Sequence, residues 1–227
     1  MKKLFLLISC AAVLFTGCIG INYGFKTVRC NGPVEEVYFE DLKDFSKIEA
    51  FASVDLNIVQ ADTFSVKVTA NKEVFDYLEY QIKDETLHLV TKDSVALRAE
   101  KYVVDITLPY IEKIEVFGAG DVDFKGNYAS DKTLAIDVNG AADINIGKMQ
   151  VPSVSIDVNG AGDIAINDLD AEMLSIEVNG AGDVVVAGKC EKCSFSVNGA
   201  GDIDAKNLEC NDVKTHKSGL ASIALKK

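Results

Sequence analysis

A five-residue segment, Asn-Gly-Ala-Gly-Asp, returns at nearly constant intervals through the second half of the chain. It stands as Asn159-Gly160-Ala161-Gly162-Asp163, Asn179-Gly180-Ala181-Gly182-Asp183 and Asn198-Gly199-Ala200-Gly201-Asp202. Asn139-Gly140-Ala141-Ala142-Asp143 differs only at Ala142, and Phe117-Gly118-Ala119-Gly120-Asp121 has Phe for Asn. The aspartates Asp121, Asp143, Asp163, Asp183 and Asp202 are spaced 22, 20, 20 and 19 residues. So short a repeat cannot bury its own apolar face and must stack on its neighbours. Ser218-Gly219-Leu220-Ala221-Ser222 reads as a decayed last copy, and Phe51-Ala52-Ser53-Val54-Asp55 as a diverged early one.

Each corner follows strict alternation, as in Leu134-Ala135-Ile136-Asp137-Val138 and Val154-Ser155-Ile156-Asp157-Val158. Leu174-Ser175-Ile176-Glu177-Val178 and Cys193-Ser194-Phe195-Ser196-Val197 continue the pattern. Period two with β-branched residues is a strand with one buried face. The Gly-Ala-Gly segment is turn chemistry. A short second strand follows, such as Ile164-Ala165-Ile166. Stacking such units pairs strand on strand about 4.8 Å apart. The expected fold is therefore all-β: a right-handed parallel β-helix-like solenoid with rungs of about 20 residues. Regular repeats begin near residue 114, after a less regular β-rich half. There, alternation predicts strands over 48–59, 64–70, 87–91 and 102–108. One short helix is expected over 72–78, with Val74, Phe75 and Leu78 turned inward, and a hairpin turn at Asp84-Glu85. No Pro/Gly/Ser linker divides the chain, so residues 35–227 are expected to form one ectodomain. Lys226-Lys227 would blunt the last rung against end-to-end pairing.

The N-terminus carries an address. Met1-Lys2-Lys3 is a basic n-region, and the apolar run from Leu4 to Phe15 is too short to span a bilayer, which takes about 20 residues. Leu14-Phe15-Thr16-Gly17-Cys18 resembles the lipobox of bacterial lipoproteins, with Phe15 where Leu is commonest. That resemblance implies a signal peptide over 1–17, acylation of Cys18 and a lipid-anchored tether over 18–34. Ile19 stands where an Asp would resemble an inner-membrane retention signal, so the expected location is the cell envelope, at the outer membrane. Periplasmic and surface-facing orientations both stay open.

The Phe51-Ala52-Ser53-Val54-Asp55 rung, the Pro109-Tyr110-Ile111 link and the ordered Gly-Ala-Gly-Asp corners resemble one known group. It is the putative auto-transporter adhesin, head GIN domain family, common as lipoproteins in Bacteroidetes. The resemblance covers roughly residues 45–225 and implies a β-helix-like fold without established catalytic residues.

Three sets of side chains bear on function. The Asp column (Asp121, Asp143, Asp163, Asp183, Asp202) resembles calcium rolls locally, yet those repeat about every nine residues. Calcium also takes about six to eight oxygens. The simpler expectation is that each Asp caps backbone N–H groups of its corner, with calcium as the alternative and no other cofactor. The Asn column (Asn139, Asn159, Asn179, Asn198) reads as an amide ladder. On the outward strand face, Asp137, Asp157 and Glu177 form a second acidic column beside a flat column of Ala135, Ser155, Ser175 and Ser194. Ser155, Asp157, Ser175, Glu177, Ser194 and Ser196 are the candidate binding face, for an envelope protein or a polysaccharide. No Trp is present to stack on sugars.

Cys190-x-x-Cys193 resembles half of a redox or zinc site, without a second pair. An oxidising envelope favours a disulfide. Aligned back from the corners, Cys190 and Cys210 share one column on adjacent rungs and are the expected pair; Cys193 points inward, and Cys30 has no assigned partner. His88 and His216 are read as surface residues without partners. A net charge of −12 argues against nucleic acid. The membrane is expected as a partner only through the lipid anchor. Few basic residues and short rungs argue against a polysaccharide-degrading β-helix enzyme. The expected function is a binding, adhesin-like or structural surface module, with that enzyme or an envelope-stress sensor as alternatives.

Overall fold

The computed structural model describes residues 26–51, 53–92 and 95–226. The signal peptide, Cys18 and residues 18–25 of the tether lie outside them. The first strands are β1 (Thr27–Cys30), β2 (Val34–Tyr38), β3 (Lys47–Ala50), β4 (Asp55–Gln60) and β5 (Ser65–Asn71). A 3-10 turn over Lys72–Tyr77 leads to β6 (Leu78–Lys83), β7 (Thr86–Thr91), β8 (Ala96–Ala99) and β9 (Tyr102–Leu108). Then come β10 (Lys113–Val116), β11 (Val122–Ala129), β12 (Leu134–Val138), β13 (Ile144–Ala161), β14 (Ile164–Ala181) and β15 (Val184–Leu225).

The fold is all-β, a curled sheet around one core. From β10 onward the chain stacks in parallel on itself, one repeat per step. Leu134, Ile136 and Val138 lie opposite Val154, Ile156 and Val158, which lie opposite Leu174, Ile176 and Val178. All nine are buried. The second leg of each repeat stacks likewise, with Val122, Ile144, Ile164 and Val184 in register. Alternation thus puts one apolar side chain per two residues into the core from both legs.

Corners stack as closely as the strands. A Cβ on Gly160 would lie 1.9 Å from the Gly140 carbonyl oxygen, so the corner tolerates no side chain there. Gly219 sits over Gly199 in the same way, and so Ser218 to Ser222 is indeed a last copy.

The first half departs from a simple sequential stack. The β7/β9 layer comes later in the chain than β3/β4, yet it lies outside it: β3 pairs β7 and β10, while β4 pairs β9 and β11. The expected strand over 48–59 is two legs, β3 and β4, with Phe51 following the first and Ser53 and Val54 preceding the second. Antiparallel β6 covers β7, antiparallel β5 covers β9, and β2 pairs antiparallel with β5 at the edge. Asp84 and Glu85, both at positive φ, make the hairpin turn between β6 and β7. The expected helix over 72–78 is the 3-10 turn; Val74 and Leu78 are buried and Phe75 is half-buried. Part of the expected tether is structured: β1 pairs in parallel with β8, and Cys30 is fully buried. The reason is that Val28 and Cys30 alternate inward and find core to cover.

Candidate functional site

The outward face of the first leg is built by register. His88, Glu49, Glu115, Asp137, Asp157, Glu177 and Ser196 follow one another across seven paired strand segments. Two residues before them in each strand, Lys47, Lys113, Ala135, Ser155, Ser175 and Ser194 form a neighbouring column. Ser155, Asp157, Ser175, Glu177, Ser194 and Ser196 therefore share one face, all exposed or half-buried.

Charge is distributed unevenly along the acidic column. Lys113 Nζ bridges Glu115 at 2.9 Å and Asp137 at 3.1 Å. His88 Nδ1 lies 2.9 Å from Glu49, so the histidine expected to lack a partner has one. Glu177 accepts a hydrogen bond from the Asn179 amide at 3.0 Å. Asp157 has no cation within salt-bridge distance among the described residues. Burial, reinforced by the Asp137 and Glu177 carboxylates, pushes its carboxyl above the usual range. Like charges at rung spacing penalise the ionised form.

Beside this column, at the C-terminal end of the face, a shallow groove of about 420 Å³ runs over Ser155, Ser175 and Ser194. Its walls include Met173, Lys192 and Lys214, and Met173 is 53% exposed. At the other end, Phe51 and Phe117 stack with ring centroids 4.6 Å apart and planes 5° from parallel. They continue the column of Asn139, Asn159, Asn179 and Asn198, with both rings partly exposed. The asparagines do form a ladder: Asn159 donates to Asn139 at 3.4 Å, Asn179 to Asn159 at 3.2 Å and Asn198 to Asn179 at 2.9 Å.

The Asp column is bonded between repeats rather than within each corner. Each carboxylate accepts the backbone N–H of the next aspartate, Asp143 onto Asp121 at 3.3 Å and Asp163 onto Asp143 at 2.9 Å. Asp183 onto Asp163 at 2.8 Å and Asp202 onto Asp183 at 2.9 Å complete the series. Asp55 starts it by accepting from Asp121 at 3.2 Å, and Ser222 ends it on Asp202. The expected local cap is thus corrected to an inter-rung one, because parallel stacking puts the next N–H nearer than the corner's own.

The expected Cys190–Cys210 bond is also corrected: Cys193 and Cys210 are joined and Cys190 is a free, buried thiol. Cys190 and Cys210 do hold equivalent positions, the sulfur of each lying close to the carbonyl two residues on, at 3.1 Å and 3.3 Å. Stacked side chains run parallel at about 4.8 Å, beyond the roughly 3.5–4.5 Å that a disulfide needs between Cβ atoms. The diagonal from Cys210 to Cys193, with Cα atoms 6.6 Å apart, lets the two side chains converge.

Reading from sequence missed Glu49, Glu115, Lys113 and the two phenylalanines as members of the face. The signal was present in Lys47-Ile48-Glu49-Ala50 and Lys113-Ile114-Glu115-Val116, which alternate like the later strands.

Solved structures of similar shape exist at low identity, which compares fold alone. A putative adhesin from Parabacteroides merdae ATCC 43184 superposes with TM-score 0.75 at 17% identity, covering 88% of this chain and 84% of that one. A putative adhesin from Parabacteroides distasonis ATCC 8503 gives 0.73 at 20%, over 87% and 84%. A putative lipid binding protein from the same strain gives 0.67 at 18%, over 88% and 97%. No protein of curated function matches the chain by sequence. Residues 44–226 match the family described as putative auto-transporter adhesin, head GIN domain, and the chain belongs to that family.

Proposed function

We propose that this protein is a cell-envelope lipoprotein, acylated at Cys18 and held at the outer membrane, whose ectodomain is a binding module rather than an enzyme. In this reading the stacked repeats are a right-handed parallel β-helix that displays a long, regular face. The partner is an extended polar or basic protein segment or polysaccharide, with contacts repeating at the rung spacing. Membership of an adhesin-type family supports a surface role. The observation that carries the reading is the juxtaposition of Asp157, which has no cation within salt-bridge distance among the described residues, with the groove over Ser155, Ser175 and Ser194. A partly buried carboxylate without a counter-ion is a ready site for a cationic group.

The test is the triple variant Asp157→Lys, Glu177→Lys, Ser175→Arg in the soluble ectodomain, with folding checked by circular dichroism. Wild type and variant are compared on a glycan array and in capture from envelope extracts. Loss of partners by a folded variant supports this face; capture of the same set by both removes it. Lipid-free wild-type protein in mass spectra would remove the anchor.

A further inference from the structure

Behind the groove, three cysteines meet. Cys190 and Cys193 lie on one rung and Cys210 on the next, and their sulfurs all fall within 4.8 Å of one another. Cys190 and Cys193 are 5% and 3% exposed. Backbone carbonyls surround the group: Lys192 O lies 3.1 Å and Glu172 O 3.6 Å from Cys190 Sγ, and Asp212 O 3.3 Å from Cys210 Sγ. A groove of about 540 Å³ opens onto Cys190, and its rim carries Asp170, Glu172, Glu191 and Glu209, of which Asp170 is paired with Lys189 and Glu209 with Lys226. Burial pushes the Cys190 thiol up, with neighbouring backbone groups opposing.

A buried protonated thiol is a poor nucleophile for disulfide exchange. The same surroundings suit a cation, which displaces thiol protons and is drawn in by the acidic rim. Metal–sulfur bonds of about 2.3 Å put the sulfurs of a three-thiolate site about 3.8–4.0 Å apart, within reach of this cluster. We propose that Cys190, Cys193 and Cys210 form a three-sulfur site for one thiophilic d10 cation of the zinc or copper(I) kind. The Cys193–Cys210 disulfide is the closed, metal-free form of that site. Opening it takes two electrons and two protons from a dithiol, which leaves as its own cyclic disulfide. Loading then releases the three thiol protons as three sulfur–metal bonds form.

The protein reduced with dithiothreitol, and desalted without oxygen, is titrated separately with Zn²⁺ and with Cu⁺ against a chromogenic chelator. One ion per chain is expected for at least one metal, with proton release and, for Cu⁺, thiolate-to-metal absorption. The disulfide form should bind at least about 100-fold more weakly, and Cys190→Ser at least about tenfold more weakly. Cys190→Ser keeps both partners of the disulfide, so its fold is checked in the oxidised state. Absence of stoichiometric binding by reduced wild type for both metals overturns the proposal. Equal affinity in Cys190→Ser or in the disulfide form overturns it too.

Discussion

The backbone N–H of Asp163 donates to Oδ1 of Asp143 at 2.9 Å, across one full repeat of the chain. The same bond from Asp183 to Asp163 makes each carboxylate a fastener for the repeat above. Asp163→Ala leaves the exposed Asp183 N–H to water in place of its acceptor and is expected to cost about 0.5–1.5 kcal/mol in urea unfolding. Asp163→Asn keeps an acceptor oxygen and should cost clearly less. Equal losses from the two would show that charge, not the acceptor, matters.

Because one oxygen of each aspartate is already engaged, calcium should find no filled row of ligands. Millimolar calcium is expected to move Tm by less than the roughly 2–4 °C that 1 kcal/mol of binding produces. A larger rise, reversed by chelator, would contradict this.

Two glycines contrast a crowded corner at positive φ, Gly160, with an open strand position, Gly147. Gly160→Ala drives a Cβ to within 1.9 Å of a carbonyl that stacking holds in place. It should cost at least about 2 kcal/mol. Gly147 has only ordinary contact at 3.5 Å, so Gly147→Ala should be neutral or stabilise by up to about 1 kcal/mol. Thermal unfolding of both variants checks the contrast.

Asp157 gives a pH dependence. Its carboxyl is raised by burial, then by Asp137 and Glu177, so the folded state favours the protonated form. Its contribution to stability is present below the ordinary carboxylate value and is lost as pH rises through the raised one. Asp157→Asn should therefore stabilise at pH 7 by about 0.5 kcal/mol, screened by salt. The gain should vanish as pH falls through the carboxylate range.

The Cys193–Cys210 bond closes a short loop onto the last repeat, with a sequence separation of 17. Cys210→Ser should lower stability by up to about 3 kcal/mol under oxidising conditions. Peptide mapping without reduction should recover Cys193 joined to Cys210. Recovery of Cys190 joined to Cys210 would contradict the diagonal.

The strand faces and the register of the later repeats were legible in the sequence. Alternation decides which side of a strand is apolar, and a near-constant period sets which residue lies over which. Ile136, Ile156 and Ile176 align for that reason, as do the asparagines and aspartates. The order of layers in the first half was not legible. Placing β7 and β9 outside β3 and β4 is a choice among distant partners, and local pattern carries no information about it. The pairing of Cys210 with Cys193 was hidden likewise, because a column shared in register still leaves side chains parallel. Only the three-dimensional course of the corner lets a diagonal pair converge. The extended acidic face and its groove needed both: periodicity supplied Asp137, Asp157 and Glu177, while the tertiary order of rungs added Glu49, Glu115 and His88 to the same line.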